Sequence, residues 1–226
     1  MTAFEPIVNG SLHTEVTNSI ITAIALGQLR PGEKIIEQNI AEQMKISRAP
    51  VREALRELAT QGIIEYTPRK GVTVAALDVQ SIREAYSLRA CLEGMAVNLA
   101  VDRLSARDIK HLENLSKKMT KYLEQNDIDN FIRCDVEFHT LISTNSGHLK
   151  LEKLLQNLLL QTRLYMLMSK YNLLINSRLD LEYGVHDGII REIQNKDKAG
   201  AEAEMKKHIH NSGENLIFFL QNKKQG

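Results

Sequence analysis

Apolar positions recur along this chain at two spacings, and the switch between them divides it. From Leu12 to Leu26 the residues Val16, Ile20 and Ile24 share one helical face. Glu37 to Met44 keeps that spacing, with Ile40, Ala41 and Met44 together, and Lys45 and Ile46 leave room only for a tight turn before another helix. Ser47 is suited to cap this next helix. Pro50 falls in its first turn, where a missing N–H does least harm. Val51, Ala54, Leu55 and Leu58 form the buried stripe, while Arg48, Arg52 and Arg56 recur every four residues on a different face. Gly62 ends the helix, and two strand-like runs follow, Ile63 to Tyr66 and Val72 to Ala75, around a basic tip at Thr67 to Gly71. The pattern predicts a winged helix-turn-helix of three helices and a short β-hairpin.

Beyond a boundary between Ala75 and Asp78 the spacing is helical throughout. Asp78 can cap a helix that keeps Ile82, Ala85, Leu88, Leu92, Met95, Ala96 and Leu99 on an apolar face. Ser105 and Asp108 form a capping pattern for the next helix, with Ile109, Leu112, Leu115, Met119 and Leu123 inside. Further helices are predicted from Asp129 to Ser143, Leu149 to Lys170, Ser177 to Asn195 and Asp197 to Gln221, and no proline follows Pro68. Such stripes must bury one another in a bundle. The fold class is therefore mainly α: a winged helix over residues 1–75, then an all-helical domain over 76–226.

Composition adds limits. The chain has 226 residues, 43% hydrophobic and 25% charged, with no apolar run of membrane-spanning length. Met1 to Gly10 has neither the basic region nor the apolar run of a signal peptide, so a soluble, cytoplasmic protein with no membrane partner is expected. Cys91 and Cys134 lie in amphipathic stretches and read as reduced core residues rather than a disulfide. Net charge is only +1, and acidic and basic side chains balance over residues 1–75, so overall charge does not argue for nucleic acid. The local arrangement does. Guanidinium groups match guanine O6 and N7 as well as phosphate oxygens, and Arg48, Arg52 and Arg56 are presented together at the start of a helix. The competing reading is a solvated face paired with Glu53 and Glu57.

From Leu29 to Val74 the chain resembles the GntR family of bacterial transcription regulators. The shared pattern is Pro31 and Gly32, then Glu37, Ser47 to Leu55, Gly62 before the wing and Gly71 within it. The resemblance implies a double-stranded DNA operator as partner. Arg48 and Arg52 would touch bases or flanking phosphates, Ser47 and Ala49 would lie at the groove, Arg56 would extend the stripe, and Arg69, Lys70 and Gly71 would approach the minor groove. Several relatives carry a further Arg where this chain has Gln38.

From Asp78 to Gln221 the chain resembles the FCD ligand-binding domain of the FadR branch of that family. The matching pieces are Leu88 and Arg89 with Glu93, Asp135 with His139, His186, and Met205 with His208. The resemblance implies a metal held by Asp135, His139, His186 and His208. Three imidazoles and a carboxylate suit a divalent transition metal, Zn²⁺ or Ni²⁺ foremost, with Mn²⁺ or Fe²⁺ as alternatives. His13, His111, His148 and His210 read as ordinary exposed or satisfied side chains, and Glu182 as a candidate support for His186. The resemblance also implies a small-molecule effector, an organic acid, beside the metal. Arg89 and then Arg163 are its candidate cationic partners, with Tyr86, Tyr165 and Asn211 as lining, although Arg89 could equally form a structural ion pair with Glu93. The expected protein is an effector-controlled regulator working as a homodimer, since one winged helix reads few base pairs. The alternatives are a regulator whose effector is the ion itself and, less in keeping with a winged helix, a metal-dependent enzyme.

Overall fold

The first helix does what its period predicts: α1 (Leu12–Ala25) buries Val16, Ile20 and Ile24. In a computed structural model, residues 12–67, 71–173 and 186–222 are described. A two-residue strand β1 (Lys34–Ile35) leads into α2 (Glu37–Met44) and α3 (Arg48–Thr60). Between these helices Lys45 adopts a left-handed conformation at φ 55°, and Ile46 N–H closes the turn onto the Ala41 carbonyl at 3.0 Å. Val51, Ala54, Leu55 and Leu58 of α3 are fully buried, and α3 packs on α1.

Gly62, at φ 68°, ends α3 as expected, with Gly62 and Ile63 N–H returning to the carbonyls of Ala59 and Leu58. Strands β2 (Ile64–Thr67) and β3 (Gly71–Val74) pair antiparallel, Ile64 opposite Val74 and Tyr66 opposite Val72. The sheet differs from a bare hairpin: β1 adds to the far edge of β3, with Lys34 opposite Thr73 and Ile35 opposite Val72, giving the order β1-β3-β2. Two residues are too few to show an alternating pattern, so this strand exists only through its pairing.

The chain divides into two compact units between Ala76 and Leu77. The second holds α4 (Val79–Ala100), α5 (Ala106–Glu124), α6 (Ile128–Asn145), α7 (Leu149–Leu173), α8 (Asp187–Gln194) and α9 (Lys198–Asn222). Asp78 accepts from Ser81 N–H at 2.8 Å to cap α4, and Ser105 and Asp108 form a reciprocal capping box on α5. Of the helix expected over Ser177 to Asn195, residues 177–185 lie outside the described segments. The core joins Ile82, Val97, Leu112, Leu115, Phe138, Ile142, Ile189, Ile193, Met205 and Ile209. Among the described residues no helix is long and apolar enough to cross a membrane.

One expected face is corrected. On α4, Leu88 is 54% and Met95 43% exposed, whereas Arg89 and Glu93 are each 2% exposed. Helical periodicity locates a stripe but cannot say that charged neighbours will turn inward when they have partners there. Cys91 is likewise exposed rather than core, Cys134 is buried, and both are free thiols.

Candidate functional site

Two groups of polar residues stand out, one on the surface of the first unit and one buried within the second. The first is the start of α3. Ser47 sits at the N-cap position in extended conformation, but its side chain accepts no capping hydrogen bond, contrary to the expected cap. Ser47, Arg48, Ala49, Arg52 and Arg56 are all exposed, as is Gly71 in β3. The arginines are not paired with Glu53 and Glu57. Arg48 Nη2 donates to Gln38 Oε1 at 2.7 Å, and Gln38 in turn donates to Glu42 at 2.8 Å. Arg52 Nε and Nη2 both reach Glu37 Oε2 at 3.4 Å. Glu57 instead meets His13 and Thr17 of α1. The preceding helix thus holds both guanidinium groups forward in solvent, where weak exposed pairs are readily exchanged for another anion. Arg69 and Lys70 lie outside the described residues.

The second group is buried. α6 carries Asp135 and His139 one turn apart, His186 immediately precedes α8, and His208 projects from α9. All four are buried, and one ligand atom from each lies within 4.8 Å of the others. Asp135 Oδ1 is 3.6 Å from His139 Nε2 and 3.3 Å from His186 Nε2, and His208 Nε2 is 3.3 Å from His139 Nε2. These three separations are each less than twice a metal–ligand bond of about 2.1 Å, and the four atoms, all within 4.8 Å of one another, need only a small inward shift to share one ion. Phe138 lies edge-on to the rings of His139 and His186, closing the site with apolar surface.

Hydrogen bonding within the cluster is incomplete. His186 Nε2 lies near Asp135 but is not aligned with it, and among the described residues neither His186 Nε2 nor His208 Nδ1 has a hydrogen-bond partner. His139 Nδ1 lies against Glu93 Oε2 as an ion-pair contact, again without the alignment of a hydrogen bond. Two ring nitrogens facing each other cannot both accept, and buried orphans of this kind need a cation or a proton.

The electrostatics agree with that need. Burial works against charge on Asp135, yet His139 and His186 hold its carboxyl well below the usual carboxylate range. Burial likewise opposes protonation of His139, but Glu93 and Asp135 raise it to about 9. His186 and His208 are pushed down, first by burial, and His208 further by the neighbouring imidazoles. The cluster therefore attracts one positive charge at His139 while keeping two imidazoles neutral, the form that binds metal.

Arg89 is also buried. Its Nε pairs with Glu93 Oε1 at 2.7 Å, its Nη1 donates to Thr162 Oγ1 at 3.1 Å, and it lies 5.3 Å from the centre of the Tyr86 ring. Arg163 is an exposed residue of α7 and is not brought into the buried cluster, because its neighbours Thr162 and Leu164 take the inward positions. Tyr86 and Tyr165 are buried, Asn211 is half-buried, and Glu182 lies outside the described residues. His111 pairs with Glu137, His148 accepts from Leu151 N–H, and His210 is exposed. An open cleft of about 290 Å³ between α5 and α8 contains none of the four cluster residues. The contact that sequence reasoning missed is Glu93 with His139. The i,i+4 spacing of Arg89 and Glu93 was a visible signal for their pairing, but nothing in the chain pointed from Glu93 to α6.

A winged helix with outward arginines and a separate helical unit with a buried ligand-forming cluster define a DNA-binding transcription regulator rather than an enzyme. Residues 12–74 match the bacterial regulatory proteins of the gntR family, and residues 84–211 match the FCD domain. The chain belongs to the GntR family of bacterial transcription regulators and carries its FCD domain. It is 27% identical to the HTH-type transcriptional regulator YdhC of Bacillus subtilis over 92% of each chain. It is 33% identical to the HTH-type transcriptional regulator McbR of Escherichia coli over 61% of this chain and 62% of that protein. The solved structure of Escherichia coli McbR/YncC superimposes with a TM-score of 0.77 at 26% identity, covering 95% of this chain and all of the other.

Proposed function

We propose that this regulator binds its operator as a homodimer and that its affinity is set by a small organic acid bound beside a divalent metal in the helical unit. Ser47, Arg48, Ala49, Arg52 and Arg56, with Arg69, Lys70 and Gly71 of the wing, form the DNA-reading face. Asp135, His139, His186 and His208 hold the ion. The observation that carries the reading is the convergence of three buried imidazoles and one carboxylate, with ring nitrogens that lack partners among the described residues, inside the FCD unit. The donor set suits Zn²⁺ or Ni²⁺, with Mn²⁺ or Fe²⁺ also accommodated. An ion there would supply a Lewis-acidic position for a carboxylate. Of the two candidate cationic partners, Arg89 is the one inside the bundle.

Leu88, Met95 and Leu154 are large apolar residues left exposed on the helical unit, and a second copy is the proposed cover for them. A dimer would read a near-palindrome, with half-site centres about 10 base pairs apart in the general helix-turn-helix geometry. The expected location is the cytoplasm, where the operator is.

The test is metal analysis of freshly purified protein, followed by operator titration at fixed salt with and without chelator and a panel of organic acids. Stoichiometric metal and an acid-dependent shift in affinity support the reading. A shift with metal alone makes the ion the effector, the second reading, which the four protein ligands favour by occupying most coordination positions. Protein without stoichiometric metal that still responds to acids removes the ion from the mechanism.

A further inference from the structure

We propose that Glu93, which belongs neither to the reading face nor to the four-residue cluster, positions His139 so that its Nε2 faces the ion, and that Arg89 is committed to holding Glu93. The inference rests on the metal reading above and adds a residue to it.

The two oxygens of this carboxylate face different groups. Oε1 takes Arg89 Nε at 2.7 Å, and Oε2 lies against His139 Nδ1. Arg89 is itself fixed from α7, since its Nη1 donates to Thr162 Oγ1 at 3.1 Å while Thr162 donates to the Leu158 carbonyl at 2.9 Å. The result is a buried line from α7 through α4 to α6: Thr162, Arg89, Glu93, His139. Arg89, Glu93, Thr162 and His139 are each at most 2% exposed.

Neutral imidazole has one N–H and one lone pair, and a carboxylate can only accept. Glu93 beside Nδ1 therefore keeps the proton there and leaves the lone pair on Nε2, which faces Asp135 and His208. That is the role of an outer carboxylate in metal sites. A second carboxylate buried against the same His139 ring as Asp135, without a counter-charge, would be unstable, and Arg89 is the cation that removes the problem. Two guanidinium nitrogens are occupied internally and the group lies over the Tyr86 ring, so Arg89 supports the metal shell.

The experiment uses the full chain labelled with nitrogen-15 histidine, and Zn²⁺ as the probe. In zinc-loaded wild type, His139 is expected to show its proton on Nδ1, with a low-field, slowly exchanging imidazole N–H resonance. Zinc on Nδ1 with the proton on Nε2 overturns the proposal without any variant. Competition against a chromogenic chelator then measures affinity. Arg89→Met with Glu93→Leu removes both charges together and is expected to weaken Zn²⁺ binding about 10–100-fold with helical content retained. Glu93→Gln, which keeps an acceptor, is expected to lose less. Wild-type zinc affinity in the folded double variant overturns the positioning role while leaving the metal site standing. If wild type itself takes up no zinc, the metal reading falls and the positioning role falls with it.

Discussion

The two units use polar side chains in opposite ways. In the winged helix the groups that would meet a ligand are neighbours in sequence, exposed, and held by solvated contacts, Arg52 with Glu37 at 3.4 Å and Arg48 with Gln38 at 2.7 Å. In the helical unit the corresponding groups come from α4, α6, α9 and the residue before α8, are nearly fully buried, and depend on one another for charge balance. A surface reader has to exchange its partners quickly for phosphates and base edges, so shallow, solvated pairs suit it. A buried site has to exist before its ligand arrives, since assembling it later would mean desolvating charges without compensation.

The largest expected effect tests the buried half. An ion bound only by the folded state adds about 2.7 kcal/mol at a hundredfold excess over its dissociation constant. Chelation should lower the melting temperature of wild type, and His208→Ala should abolish that chelator effect. The same variant should retain basal operator binding but lose its response to effector. An intact effector response in His208→Ala would break the division of labour between the units.

Arg52→Ala tests the exposed half. It should cost about 2 kcal/mol of operator affinity and relax sequence preference, without moving the melting temperature of the helical unit. Unchanged affinity in a titration at fixed salt would show that Arg52 is a solvated side chain only.

A graded effect should follow pH in the chelated protein. Glu93 and Asp135 raise His139 from 6.5 to about 9 in the folded state, so its protonation contributes stability that is complete below pH 6.5 and is lost as the pH rises through about 9. The melting temperature of chelated wild type should fall across that window, and His139→Gln should lack this part of the slope. His186 and His208, whose values are lowered, act the other way and cost stability only as the pH falls below the ordinary histidine value. A flat profile between those limits would show that another group balances the buried carboxylates.

The smallest effect sharpens the separation of the units. Ser105→Ala removes one side of the α5 capping box, in which Asp108 N–H donates to Ser105 Oγ at 3.2 Å. It should cost the helical unit about 1 kcal/mol in thermal or chemical denaturation and leave operator affinity in the absence of effector unchanged.

Much of this molecule was legible in its chain because the relevant forces are local. Helical periodicity placed α1, α2 and α3, Gly62 marked a stop that requires positive φ, and Ser105 with Asp108 announced a cap whose two bonds both form. The arginine stripe needed only the period of one helix to be outward-facing. Asp135 and His139 were on one face because they are four residues apart. What tertiary structure alone decided was which polar groups meet across helices. It turned Arg89 and Glu93 inward and left Leu88 and Met95 outside, because a buried guanidinium and carboxylate with mutual partners and a Thr162 hydroxyl displaced the simple apolar stripe. It also paired two residues of β1 with β3, moved the partners of Arg48 and Arg52 from α3 to α2, and set Glu93 against His139. Periodicity is a property of one element and is written along the chain. Charge compensation in a low-dielectric interior depends on distance through space, and that is settled only when the helices pack.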